Sequence, residues 1–219
     1  MTGPLLILSV NVGLPRAIGT SRGEIVMSGI AKEPVAGGEV VVRETNIDGD
    51  GQAALSVHGG LDKAIYAYPS DHWAWWEAAH GLSCRPATFG ENLTLQGAGE
   101  SDVAIGDRFR WGDVLVEISQ PRAPCFKFAM HTGHEDAPLQ MTTSARCGWY
   151  LRVLRVGPAP TKDAKLERVF ASDGPSVRDA FIAAMHRSPR DLCLRVHDAP
   201  ALADAWRRTI ARKLAQIRN

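Results

Sequence analysis

Up to about residue 170 this chain repeats one pattern: short runs rich in valine, isoleucine and aromatic residues, cut by glycine and proline. The runs are LLILSV (5–10), EVVVRE (39–44), AIYAY (64–68), RFRWGDVLVEIS (108–119) and WYLRVLRV (149–156). Strands at this spacing predict a β-barrel or sandwich and argue against a parallel α/β sheet. Gly112-Asp113 marks a hairpin turn inside the fourth run. One helix is expected within this region, over DHWAWWEAAH (71–80), with Ser70 as its N-cap and Gly81 as its stop. Trp73, Trp76 and His80 share one face of it, which reads as packing against the barrel.

After Asp173-Gly174-Pro175 the period changes. Val177, Ala180, Phe181 and Ala184 recur at helical spacing behind Ser176. Pro189 breaks that run, a short helix is expected over 190–196, and Pro200 opens a last helix striped by Leu202, Trp206, Ile210, Leu214 and Ile217. The expected division is a β-domain over 1–171 and a three-helix unit over 172–219.

With 45% hydrophobic residues in 219, the chain can bury a sizeable core. Its net charge of +1 gives no overall field toward nucleic acid or a membrane surface. Arg207, Arg208, Arg212, Lys213 and Arg218 make the last helix basic, but on a neutral chain this reads as a solvated face and nucleic acid is not expected as a partner. LLILSV has no basic residue before it and reads as a first strand. No apolar run approaches the ~20 residues that cross a bilayer. Cys84, Cys125, Cys147 and Cys193 are far apart with no CxxC pair, so reduced thiols and a cytoplasmic setting are expected.

Chemistry gathers in a few glycine- or proline-rich stretches. SQPRAPCFKF (119–128) sets Cys125 at the end of a strand, stiffened by Pro121 and Pro124 and flanked by Arg122 and Lys127. Neighbouring cations favour a thiolate, the form that attacks electrophiles or ligates metals; the alternative is a packed cysteine in a turn. VHGGLDK (57–63) offers His58 and Lys63 around a flexible glycine pair, as a ligand loop or a plain turn. In FGENL (89–93), Glu91 and Asn92 either hold the loop in shape or face a ligand, because a buried carboxylate needs hydrogen-bond partners. Asp107 of IGD (105–107) reads as a turn residue. His131 and His134 are poorly spaced for zinc with Cys125, and a Cys125–His58 dyad is chemically possible.

VHGGLDKAIYAYP, FGENL, IGD, SQPRAPC and GWYLRVL, in this order, resemble the MOSC domain, the module named for the C-terminal region of molybdenum cofactor sulfurases. The helical tail is similar to that of its YiiM-like bacterial subfamily. The resemblance implies a mainly β fold with α, an antiparallel β-barrel carrying a three-helix appendage, and molybdenum cofactor ligated through Cys125. It further implies that Arg122, Lys127, Lys63 and Arg152 cradle the cofactor's phosphate, that His58, Glu91 and Asn92 line the pocket, and that Glu91 or His58 donates protons. The implied activity is reduction of N-hydroxylated compounds, including nucleobase analogues, with electrons from a separate reductase such as a flavoprotein. The alternative is a sulfur carrier that takes a persulfide on Cys125 from a pyridoxal-phosphate-dependent desulfurase. Cys147, beside Gly148-Trp149, is a second thiol near the same strand.

Overall fold

A computed structural model describes residues 3–53 and 59–217. Seven strands close a barrel: β1 (Leu5–Val12), β6 (Ile65–Pro69), β7 (Leu93–Gln96), β8 (Arg108–Trp111), β9 (Val114–Pro121), β10 (Trp149–Arg155) and β12 (Lys165–Phe170). Their order is β12-β8-β9-β10-β6-β7-β1, and Leu5 and Leu6 of β1 pair with Leu166 and Lys165 of β12 to close the ring. Pairing is antiparallel except between β6 and β7. That exception has a cause in the chain: a parallel pair needs a long crossover, which the helix α1 (Trp73–His80) and the loop after it supply.

Among the described residues five further strands lie outside the ring. β2 (Arg16–Ser21) and β3 (Glu24–Ser28) form a hairpin, β4 (Glu33–Pro34) adds to β1, and β5 (Glu39–Val42) pairs with β11 (Gly157–Pro160). The β2–β3 hairpin, β4, β7 and the barrel strand β12 were not foreseen from sequence. The last β-like run divides at Val156, with Arg155 ending β10 and Gly157 opening β11.

The five anticipated runs all hold strands, and β8 shows why: RFRW alternates exposed and buried, putting Phe109 and Trp111 inward. β9 loses that alternation and is buried on both faces from Val116 onward. After α2 (Phe126–Thr132) and α3 (Ala137–Ser144), which follow β9, come the C-terminal helices α4 (Val177–Met185), α5 (Arg190–His197) and α6 (Asp204–Gln216); α4 packs on the outer face of β9, and α5 and α6 pack with α4. Gly148, just before β10, lies in the left-handed region at φ 63°, and a Cβ there would stand 2.3 Å from the Ala67 carbonyl oxygen. Only glycine permits this approach of β10 to β6.

Local corrections concern the helix ends. Ser70 starts a 3-10 turn (Ser70–His72) and its hydroxyl makes no capping bond, whereas Gly81 does end α1. Ser176 caps α4 by accepting the Asp179 N–H at 3.0 Å. The last helix begins at Asp204 instead of Pro200, and Trp206 and Ile210 are its buried anchors. Its basic residues are partly structural: Lys213 Nζ donates to the Ala183 carbonyl at 2.6 Å and to that of His186, closing the end of α4, and Arg207 donates to the Ala199 and Leu202 carbonyls. Arg218 lies outside the described residues. Among the described residues no helix is long and apolar enough to cross a membrane.

Candidate functional site

Strand β9 delivers the chain to the site. Past Pro121 the chain leaves the strand and reaches Cys125, whose own backbone is extended (φ −139°, ψ 167°) and which immediately precedes α2 (Phe126–Thr132). The half-buried Cys125 lines a cleft together with Arg122, Lys63, Lys127 and Asn92, so five of the expected site residues meet there. Arg122 is 6% exposed and lies between the rings of Tyr66 (4.8 Å) and Phe128 (5.2 Å). Burial opposes its charge, but the anionic forms of Tyr66, Tyr150 and Cys125 favour it, and the balance holds its proton more tightly than usual. A guanidinium stacked this way is a fixed positive wall.

The two lysines differ. Lys127 Nζ donates to the Met27 carbonyl at 2.9 Å, joining α2 to the β2–β3 hairpin. Lys63 closes the 3-10 turn Leu61–Lys63, where burial pulls its pKa down and neighbouring Asp62 opposes the shift. Cys147 is fully buried, which pushes its thiol well above the ordinary range. It is sealed from the chemistry that Cys125 faces.

FGENL is a tight loop against the back of the cleft. Gly90 has φ 75°, and a Cβ there would meet Ile30 Cγ1 at 2.5 Å. Glu91 has no exposed surface: its carboxylate accepts the N–H groups of Ala87 (2.9 Å) and Phe89 (3.0 Å) and the Thr94 hydroxyl (2.8 Å). Burial raises its pKa to about 7 against those three bonds. Glu91 therefore holds the loop and does not line the cleft, a correction to the proton-donor expectation. Asn92 does reach the cleft wall, but it is a cross-brace, accepting from Tyr66 N at 3.0 Å and donating to the Asn11 carbonyl at 3.2 Å and to Asp50 at 2.9 Å.

Arg152 is also displaced from its expected role. Its guanidinium bonds Asp62 (2.9 Å), Glu117 (2.9 Å) and the Ala201 carbonyl (2.9 Å), away from the cleft. It faces outward from β10 and clamps the 3-10 turn, β9 and the helical tail. His58 lies outside the described residues. Asp107 accepts from Ala104 N and Ser172 N, as a turn residue should.

Sequence reasoning missed a buried ion pair. Lys32 Nζ contacts Asp50 Oδ1 in the cleft, with side-chain exposures of 7% and 1%. Asp50 also accepts from Gly13 N at 3.0 Å. Desolvation lowers the pKa of Lys32, partly offset by Asp50. Tyr66 and Tyr150 complete the wall, with ring centroids 5.3 Å apart. Removing one partner of such a pair strands a buried charge.

The cleft thus offers one soft donor, the Cys125 thiol, among fixed cations. Among the described residues no three His, Cys, Asp or Glu side chains converge to hold a bare metal ion. The donor set fits a metal that arrives with most of its ligands on an organic chelate and takes a single protein thiolate, while the cations fit a phosphate on that chelate.

Fold and site together define a β-barrel protein with a cationic cleft beside a thiol. The family model of the MOSC domain matches residues 54–163, and the chain belongs to the MOSC domain family. Protein YiiM of Escherichia coli is 38% identical over 192 residues, covering 85% of this chain and 84% of that protein. The uncharacterized protein YflK of Bacillus subtilis is 36% identical over 209 residues, covering 94% and 93%. A protein named Reductase from Gibberella moniliformis is 35% identical over 158 residues, 70% of this chain but 28% of its own length. The crystal structure of YiiM from Geobacillus stearothermophilus superposes with a TM-score of 0.80 at 35% identity, over 96% of this chain and all of that one.

Proposed function

We propose that this protein binds the molybdenum cofactor and reduces N-hydroxylated compounds, nucleobase analogues among them, with electrons from a separate reductase of the flavoprotein type. The observation that carries this reading is Cys125 standing as the single soft donor in a cleft walled by Arg122, Lys63 and Lys127. Membership of the MOSC family and the relative named Reductase support it. A cytoplasmic setting, where reduced thiols persist, belongs to the same reading.

When bound, the cofactor supplies two-electron transfer at its metal. Cys125 holds the metal, and Arg122, Lys63 and Lys127 hold the phosphate. Cleavage of an N–O bond consumes two electrons and two protons and releases water and the amine, so a proton must reach the departing oxygen. With Glu91 turned into its loop, Lys32 takes that role: it lines the cleft, and its burial makes the ammonium a readier donor. Asp50 stays beside it and keeps the exchanged proton local.

Protein expressed in a host that makes the cofactor should carry molybdenum at about one-to-one and reduce a hydroxylaminopurine with an artificial electron donor. Cys125→Ala should lose both the metal and the reduction. Molybdenum-free protein with sulfane sulfur on Cys125 by mass spectrometry would instead establish the sulfur carrier fed by a desulfurase.

A further inference from the structure

A second groove lies back to back with the cleft, because three chain segments serve both. Ser28–Ile30 line the cleft, Ala31, Glu33 and Pro34 the groove, and Lys32, paired with Asp50, stands in the wall of both. Gly90 and Asn92 face the cleft, whereas Arg85–Thr88 face the groove. Helix α2 follows Cys125 on the cleft side and places His131 and Thr132 on the other. At about 1.5 Å rise per residue, the groove begins roughly 9 Å along α2 from the thiol.

This groove is cationic in its own right. The exposed Arg85 guanidinium makes no hydrogen bond or ion pair among the described residues. Arg16 has a single distant partner, Glu33 at 3.9 Å, with both side chains well exposed. Glu33 is the one carboxylate on the groove wall among the described residues. Burial lowers the pKa of the half-buried His131, and the charges of Arg122, Arg16 and Arg85 push it the same way against a hydrogen bond to the Ala87 carbonyl. Thr88 Oγ1 accepts the Arg85 N–H at 2.9 Å, which leaves its own hydrogen free to donate into the groove.

We infer that the groove lined by Arg16, Arg85, Thr88 and His131 binds a phosphate monoester dianion. Two guanidinium forks and a hydroxyl, joined by the second imidazole nitrogen once His131 is protonated, offer more donors than the two oxygens of a carboxylate can take, whereas a phosphate has three terminal oxygens. A dianion also answers the uncompensated charge. The phosphate belongs either to the molecule whose other end enters the cleft or to a separate phosphorylated ligand.

Inorganic phosphate titrated into the full-length protein, with the imidazole resonances of His131 followed by NMR, should give saturable binding and raise the His131 pKa. Arg85→Ala and Arg16→Ala, with unchanged circular dichroism, should weaken that binding roughly ten-fold each. Arg208→Ala, on the exposed side of α6, should leave it unchanged. Absence of a phosphate-dependent shift, or an equal shift in Arg85→Ala, would overturn the assignment. This arm does not depend on the cleft's chemistry, so its failure leaves the reductase reading untouched. On cofactor-loaded protein, a preference for an N-hydroxylated nucleoside monophosphate over its nucleoside that vanishes in Arg85→Ala assigns the phosphate to the substrate. Phosphate binding with no such preference assigns the groove to a separate ligand.

Discussion

Glu91 couples the cleft's back wall to pH. Its pKa is about 7 in the folded chain against an ordinary 4.5, because full burial outweighs three hydrogen bonds that favour the anion. The raised value fixes the sign. Below pH 4.5 both folded and unfolded chains hold the proton, and the protonated carboxyl's contribution is fully present. Between pH 4.5 and 7 the unfolded chain ionises while the folded one resists, so stability falls as pH rises, by on the order of 3 kcal/mol across the window. Glu91→Gln removes the titration and places an amide N–H₂ against donors, so it should be less stable than wild type at low pH. In urea unfolding across this window, the stability difference between wild type and Glu91→Gln should shrink as pH rises. A difference that stays level, or grows, rules out a folded-state pKa above the ordinary one.

Arg152 shows how one side chain holds three elements together. It faces out from β10 and joins Asp62 of the 3-10 turn, Glu117 of β9 and the Ala201 carbonyl ahead of α6. Glu117 keeps a second partner in Arg108 at 2.7 Å, so Arg152→Met does not leave it wholly unpaired. The expected loss is about 1.5–3 kcal/mol, and amide hydrogen exchange should quicken first around Asp62 and in α6. Equal protection in both proteins would mean the clamp is idle. The same residue shows what the sequence could and could not reveal. WYLRVLRV was legible as a strand, but a cation on its outer face looks the same whether it meets a ligand's phosphate or two carboxylates from elsewhere. Strand β7 was hidden because only LTLQ follows the polar end of FGENL. Lys32 and Asp50, eighteen positions apart in glycine-bearing stretches, become neighbours only when the barrel closes. Cys125, Arg122 and Lys127 were legible because a single ten-residue stretch carries all three.

The helical tail looked separable in sequence because the hydrophobic period changes after Pro175, yet period reports secondary structure and not cooperativity. In the fold one hydrophobic cluster runs from Leu5 and Val116 through Phe181, Trp206 and Ile210. The backbone crosses the same boundary: Ala203 N donates to the Ser119 carbonyl at 3.0 Å, and Ile105 N to that of Pro175 at 3.0 Å. Covering β9 on its outer face is what lets VLVEISQP be buried on both sides, and β9 is the strand that delivers Arg122 and Cys125 to the cleft. The tail therefore stabilises the site from behind. Phe181 is fully buried, with its ring 6.2 Å from that of Trp206. Phe181→Ala should cost about 3–5 kcal/mol, and a shared core makes that loss common to the whole molecule. Tryptophan fluorescence, to which the barrel indoles Trp111 and Trp149 contribute, and far-ultraviolet circular dichroism should then shift together to one lower midpoint. If instead the helical signal melts early while the barrel signal stays in place, the tail is an independent unit and β9 keeps its position without it.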